Sequence, residues 1–247
     1  MIRRSLILAS AIALAACADN TDAEADDDTA ELETATTDGE AAALNQAIEP
    51  GNFADLKLGA KIVGPQGPEV KTSLRNEAGI LADITSYVAC PEGMDVCDPK
   101  TAPEGTVYTY VHIVYPGEDN DPDTGAGSGP DEADVEMATA FKMIAPAHGF
   151  NGIAGFSKLE AVAAAGNSVE VVVTCGDNGE LVWTVNAGDG GNQWEDAEPL
   201  TFFWQSTLPP AGPAANYQIR ANDVSGDGNG PYPAAKDGVV NACSRVK

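Results

Sequence analysis

Oxygen-bearing side chains recur at alternate positions in Asp223-Val-Ser225-Gly-Asp227-Gly228-Asn229, with glycine at the sixth place. Calcium takes six to eight oxygen ligands, and a glycine lets a chain turn sharply around it. Asp223, Ser225, Asp227 and Asn229 are therefore read as a calcium ligand set, against the plainer reading of an Asp/Gly-rich connection. A second acidic run holds Asp119, Asp121 and Asp123, followed by Asp131, Glu132 and Asp134. Packed carboxylates repel one another and a divalent cation would relieve that. Thr124 stands where glycine is wanted, so a solvated loop is the alternative.

The first run resembles the opening half of an EF-hand or dockerin calcium loop. It departs at the twelfth position, where Ala234 replaces the bidentate Glu, and Pro231 and Pro233 preclude the usual following helix. Another loop would have to complete the ligand set. Trp194 offers different chemistry. It sits in the polar run Gly188 to Asp196, flanked by Asn192 and Gln193. An exposed ring there could stack on a sugar face while the amides bind hydroxyls; the alternative is a ring folded back over the core. Trp183 and Trp204 lie in strand-like runs and are expected inside. Tyr108, Tyr110 and His112 form a further patch unless another element covers them.

Catalytic signatures are missing from the sequence. It has no His-Glu-x-x-His, Gly-x-Ser-x-Gly or phosphate-cradling glycine loop. A glycosidase carboxylate pair leaves no spacing to read, so a carbohydrate-active hydrolase stays as the rival to a binding module.

Five cysteines remain to be placed. Arg3 and Arg4 precede an uncharged run, Leu6 to Ala16, which ends in Leu14-Ala15-Ala16-Cys17. Spanning a bilayer needs about 20 apolar residues, so this run reads as an export signal rather than an anchor helix. Its end resembles the bacterial lipobox. That resemblance implies cleavage after residue 16 and a diacylglycerol (and commonly a further acyl chain, such as palmitate) on Cys17. Ala18 rather than Asp follows, which favours the outer membrane over the inner.

Cys90, Cys97, Cys175 and Cys243 are an even set in an exported chain and read as two disulfides. Three connectivities are open. Pro91 and Gly93 suit a short loop closed by Cys90 and Cys97, which pairs Cys175 with Cys243 by elimination. The zinc alternative finds no ligand spacing with His112 or His148.

Lys and Arg number 13 against 38 Asp and Glu, for a net charge of −25. Such a chain repels nucleic acid and anionic headgroups. Cations, cationic surfaces, glycans or another envelope protein fit better as partners.

The elements that must hold these residues follow from patterning. Residues 17–50 combine low hydrophobicity with unopposed negative charge and read as a disordered acidic tether, with a short helix admitted at Ala41 to Ile48. Residues 51–247 form the body, punctuated by Gly, Pro, Asn and Asp between β-branched runs. Strands are expected at 55–63, 70–75, 80–89, 106–115, 133–144, 169–175, 180–186, 200–207, 217–224 and 239–246. Asn178-Gly179 suggests a type I′ hairpin turn. Ser157-Lys-Leu-Glu160 suggests a capping box opening one helix, ended by Gly166. The expected fold is an all-β antiparallel sandwich of enlarged immunoglobulin or fibronectin layout. The expected role is a lipid-anchored binding or scaffolding module, with a purely structural envelope protein as the third reading.

Overall fold

The computed structural model describes residues 47–64, 67–117, 134–195 and 198–244. The fold is all-β with one short helix, as its patterning requires. Two short N-terminal strands, β1 (Ala47–Ile48) and β2 (Gly51–Asn52), precede a 3₁₀ turn at Phe53–Asp55. Then come β3 (Leu58–Lys61), β4 (Val70–Asn76), β5 (Gly79–Pro91) and β6 (Tyr108–Pro116). The central part holds β7 (Ala138–Met143), β8 (Phe150–Phe156), helix α1 (Lys158–Ala165), β9 (Glu170–Cys175) and β10 (Leu181–Asn186). Strands β11 (Leu200–Ser206), β12 (Pro210–Ala221) and β13 (Val224–Pro233) follow.

Hydrogen bonding joins all of these into one sheet rather than dividing them between two. Its order is β1-β9-β10-β7-β12-β13-β4-β5-β6-β11-β8-β2, with β3 attached to β5. Every pairing is antiparallel except β2 with β8. The sheet curls until its ends touch, β8 meeting both β9 and β1. Ala47 and Ile48 pair with Thr174 and Val173 of β9, and Gly51 and Asn52 pair with Gly155 and Phe156 of β8. One six-residue strap thus stitches both edges. A Cβ on Gly155 would lie 2.1 Å from the Gly51 carbonyl oxygen, so only glycine admits the strap this closely.

Alternation sends the aromatic residues inward. Phe141 of β7 stacks on Phe202 of β11 at 5.1 Å and meets Trp183 of β10 at 5.8 Å. Tyr110 stacks on Trp204 at 4.4 Å, and His112 lies 4.3 Å from Tyr217. Contact between strands far apart in the ladder is what the curl provides. Helix α1 closes one end, burying Ala161, Ala164 and Ala165. Ser157 caps it by accepting from the Glu160 amide at 3.4 Å. The reciprocal half of the capping box is diverted: Glu160 Oε2 accepts from the Thr201 amide at 2.7 Å, and the Ser157 amide donates to the Thr201 carbonyl. The helix start is sewn to β11 instead of to itself.

Several expectations are corrected. The stretch 239–244 is not a strand but a turn-rich clasp. Asn241 donates to the Gly179 carbonyl, the Ala242 amide donates to the Phe150 carbonyl, and Cys243 bonds Cys175. Strand β8 (Phe150–Phe156) falls in a stretch where no strand is expected, since Asn151, Gly152 and Gly155 are poor strand formers. Ala47 and Ile48 are extended, inside the stretch expected to be tether or helix. The β9–β10 hairpin stands where expected, but Asn178 keeps negative φ. The Gly179 amide donates back to the Gly176 carbonyl, and Gly179 alone turns left-handed, at φ 82°. The two-residue turn with positive φ at both positions is Asn222-Asp223, at 46° and 62°.

Both expected disulfides form, Cys90–Cys97 and Cys175–Cys243. Loop-closure entropy scales with the enclosed chain, so the 68-residue separation of the second is worth about 4 kcal/mol and the 7-residue separation of the first about 2.5 kcal/mol. Replacing Cys175 and Cys243 together by Ala should lower the urea-unfolding midpoint by clearly more than replacing Cys90 and Cys97.

His112 generates a second prediction. It is wholly buried, its Nδ1 lies 2.9 Å from Ser86 Oγ, and burial pushes its pKa down to about 3. The unfolded chain takes up this proton first, near pH 6.5, so the stability held by the neutral ring is present above pH 6.5. It is lost as the pH falls toward 3, by up to about 5 kcal/mol. His112→Gln should flatten that part of the stability curve between pH 7 and pH 4, measured by urea midpoints on both proteins.

Candidate functional site

A recess on the outer face of β10-β7-β12-β13 holds about 510 Å³. Alternation places Lys142, Val182, Gln218 and Arg220 outward, opposite the buried Phe141, Trp183 and Ile219. In register, Lys142 faces Val182 on one side and Gln218 on the other, and Arg220 faces Ala140. The two cations are thus diagonal neighbours, about 7 Å apart at Cα. Arg220 Nη2 lies 3.7 Å from Asp223 Oδ1; Lys142 has no carboxylate within ion-pair distance among the described residues.

The β12–β13 hairpin fixes this face. Its turn residue Asn222 accepts at Oδ1 from the Glu136 and Met137 amides and donates from Nδ2 to the Asp134 carbonyl. One side chain therefore locks the turn to the entry of β7. The residues read as a calcium loop turn out to be this turn and strand. Ser225, Asp227 and Asn229 share the outer face of β13, with Ser225 and Asn229 about 13 Å apart along it. Their glycines serve packing: a Cβ on Gly228 would stand 2.5 Å from the Ser73 carbonyl oxygen, and one on Gly226 3.0 Å from the Arg75 amide. Asp227 Oδ1 accepts from Gln218 Nε2 at 2.6 Å. Asp223 stands in the turn and the other three along the strand, and no three His, Cys, Asp or Glu side chains gather as a metal group among the described residues. Asp119, Asp121 and Asp123 lie outside the described residues.

Trp194 is corrected as well. The ring is 1 % exposed, edge-on to Phe202 at 5.7 Å, with Nε1 donating to the Glu198 carbonyl at 2.7 Å. It plugs the end of the curl beside α1, leaving Asn192 and Gln193 on the surface without an exposed ring between them. Its ring partner Phe202 comes from β11, which follows in the chain, and the Trp194 carbonyl accepts from the Ala138 amide of β7. Tyr108, Tyr110 and His112 are all interior.

A second recess, of about 230 Å³, is lined by Glu160 and Glu198 below α1. Burial raises the Glu198 carboxyl above its ordinary pKa, opposed by a hydrogen bond from the Glu195 backbone and assisted to a lesser degree by the Glu195 charge. Glu160 is already committed to the Thr201 amide. Glu160 thus holds the helix start, while Glu198 Oε2 is buried without a hydrogen-bond partner among the described residues.

Comparison with family models, curated proteins and solved structures finds no match for the chain.

The outer face depends on the Asn222 lock. Asn222→Gly keeps the left-handed backbone but deletes three hydrogen bonds, and should cost about 2 kcal/mol. Asp223→Gly relieves a left-handed residue and loses one exposed ion pair, so it should change stability by under about 0.5 kcal/mol. Thermal or urea unfolding of the two variants checks both.

Proposed function

We infer that the chain is a lipid-anchored, extracytoplasmic binding module of the bacterial envelope, held through Cys17 on the outer membrane and presenting the β10-β7-β12-β13 face to its ligand. One observation carries the reading. All four cysteines after Cys17 are consumed in two disulfides, the state of an oxidising compartment. Cys17 is left as the odd cysteine, at the end of an export signal. Acyl chains there contribute about 0.8 kcal/mol per buried methylene, so two or three of them hold a protein on a bilayer durably.

Binding is favoured over catalysis by the character of the main recess. Its lining of hydroxyls, an amide, two cations and one carboxylate sits on central strands braced on both sides. The hydrolase reading needs two carboxylates across a cleft, and the Glu160–Glu198 recess spends one of them on the backbone.

Expression in a bacterial host with labelled palmitate tests the anchorage. The wild type should carry label and fractionate with membranes. Cys17→Ser should lose both, while its two disulfides still form. A Cys17→Ser protein that stays membrane-bound, or a wild type that takes up no label, would overturn the reading.

A further inference from the structure

Lys142 and Arg220 give the β10-β7-β12-β13 recess a charge opposite to that of the chain as a whole. Only 13 of the 247 residues are Lys or Arg, against 38 acids, yet two of the 13 stand side by side on this face. Lys142 has no carboxylate partner among the described residues, and Arg220 is held only at Nη2, at 3.7 Å, by a largely exposed Asp223. A guanidinium fork matches a planar carboxylate in two parallel hydrogen bonds, and an ammonium beside it adds a point charge.

The rest of the lining narrows the ligand. Thr139, Thr184 and Ser225 bring hydroxyls, and Ala140 and Val182 supply an apolar floor. Hydroxyls around an apolar floor suit a sugar ring, which offers hydroxyls at its edge and C–H groups on its face. Asp223 at the rim can accept from sugar hydroxyls but repels a polymer with a phosphate or sulfate at every step. The ligand therefore carries its negative charge sparsely, as isolated carboxylates among neutral hydroxyls. The recess, at about 510 Å³, lies within the 300–1,000 Å³ usual for small-ligand sites.

Building on the binding-module reading, we propose that this face binds a carboxylated oligosaccharide, one made of uronic acid units. A uronate carboxylate bridges Lys142 and Arg220, and the ring lies over Val182 and Ala140 with its hydroxyls toward Thr139, Thr184 and Asp223.

Titration calorimetry on the purified mature chain tests this, with a trimer of galacturonic acid as the probe. The trimer should bind, and its affinity should fall as NaCl rises. Lys142→Gln combined with Arg220→Gln should weaken it at least tenfold while the melting temperature stays close to that of the wild type, because both side chains point outward. The fully methyl-esterified trimer, which keeps every ring hydroxyl, should bind at least tenfold more weakly than the acid. Failure of the wild type to bind the trimer, or equal binding by the double variant, overturns the proposal. If the ester and a neutral galactose trimer bind as well as the acid, the charge argument falls while a glycan-binding module stands. Membrane anchorage is read separately through Cys17, so the two conclusions fail independently.

Discussion

A sheet that curls leaves two edges whose amides and carbonyls need partners, and an unpaired edge invites pairing with other chains. In this protein both edges are met by one short run. Ala47 and Ile48 complete β9, and Gly51 and Asn52 complete β8 with opposite sense. Asn52 Oδ1 then accepts from the Lys158 amide, so the same run reaches the first turn of α1. Phe53 packs against Phe203 on the outside of β11, at 6.3 Å between ring centres. The strap works only because Gly155 has no side chain, which ties the closure of the whole sheet to one residue type at one position.

With its edges closed, the interior becomes a set of large rings whose polar atoms must be satisfied without water. They are satisfied largely by backbone carbonyls. Trp183 Nε1 donates to Gly155, Tyr110 Oη to Leu208 and Tyr217 Oη to Pro231, while Tyr232 Oη donates to Pro146. Burial raises the pKa of each of these tyrosines, Tyr232 to about 12, so they stay neutral donors. Each bond pins a loop or strand end to the centre, which is how a core of aromatic rings specifies one closure. His112 departs from this pattern: its Nδ1 meets the Ser86 hydroxyl, and its Nε2 is buried without a hydrogen-bond partner among the described residues.

What could be read from the sequence follows the range of each signal. Local alternation located most of the longer strands, and Ser157 located the helix start, because those patterns lie within a few residues. Setting Cys17 aside as the expected lipidation site left an even set of four cysteines, which pair as expected. Period two, however, belongs equally to a strand and to a calcium loop. Ser225-Gly-Asp227-Gly-Asn229 looked like ligands spaced by turn residues. Its glycines are there because Ser73 and Arg75 of β4 press against them, and β4 lies some 150 residues earlier in the chain. Trp194 misled because its immediate neighbours are polar, whereas its ring meets Phe202 of the following strand and its carbonyl meets the Ala138 amide of β7. Non-local burial overrides local polarity whenever a glycine-rich run lets the chain fold back.

The strap and the clasp converge on β9. Thr174 and Val173 pair with β1, and the adjacent Cys175 is bonded to Cys243. On the proposed anchorage, β9 is therefore the strand through which the membrane tether enters the body. A strand held at one edge by a two-residue ladder would peel under load, because so few hydrogen bonds resist it. Here the other edge carries six register pairs to β10, and a covalent bond stands at its end. β10 is also the first strand of the polar recess, and β7, β12 and β13 complete it. β9 and β10 thus separate the strap from β7 and β12, the strands that carry Lys142 and Arg220.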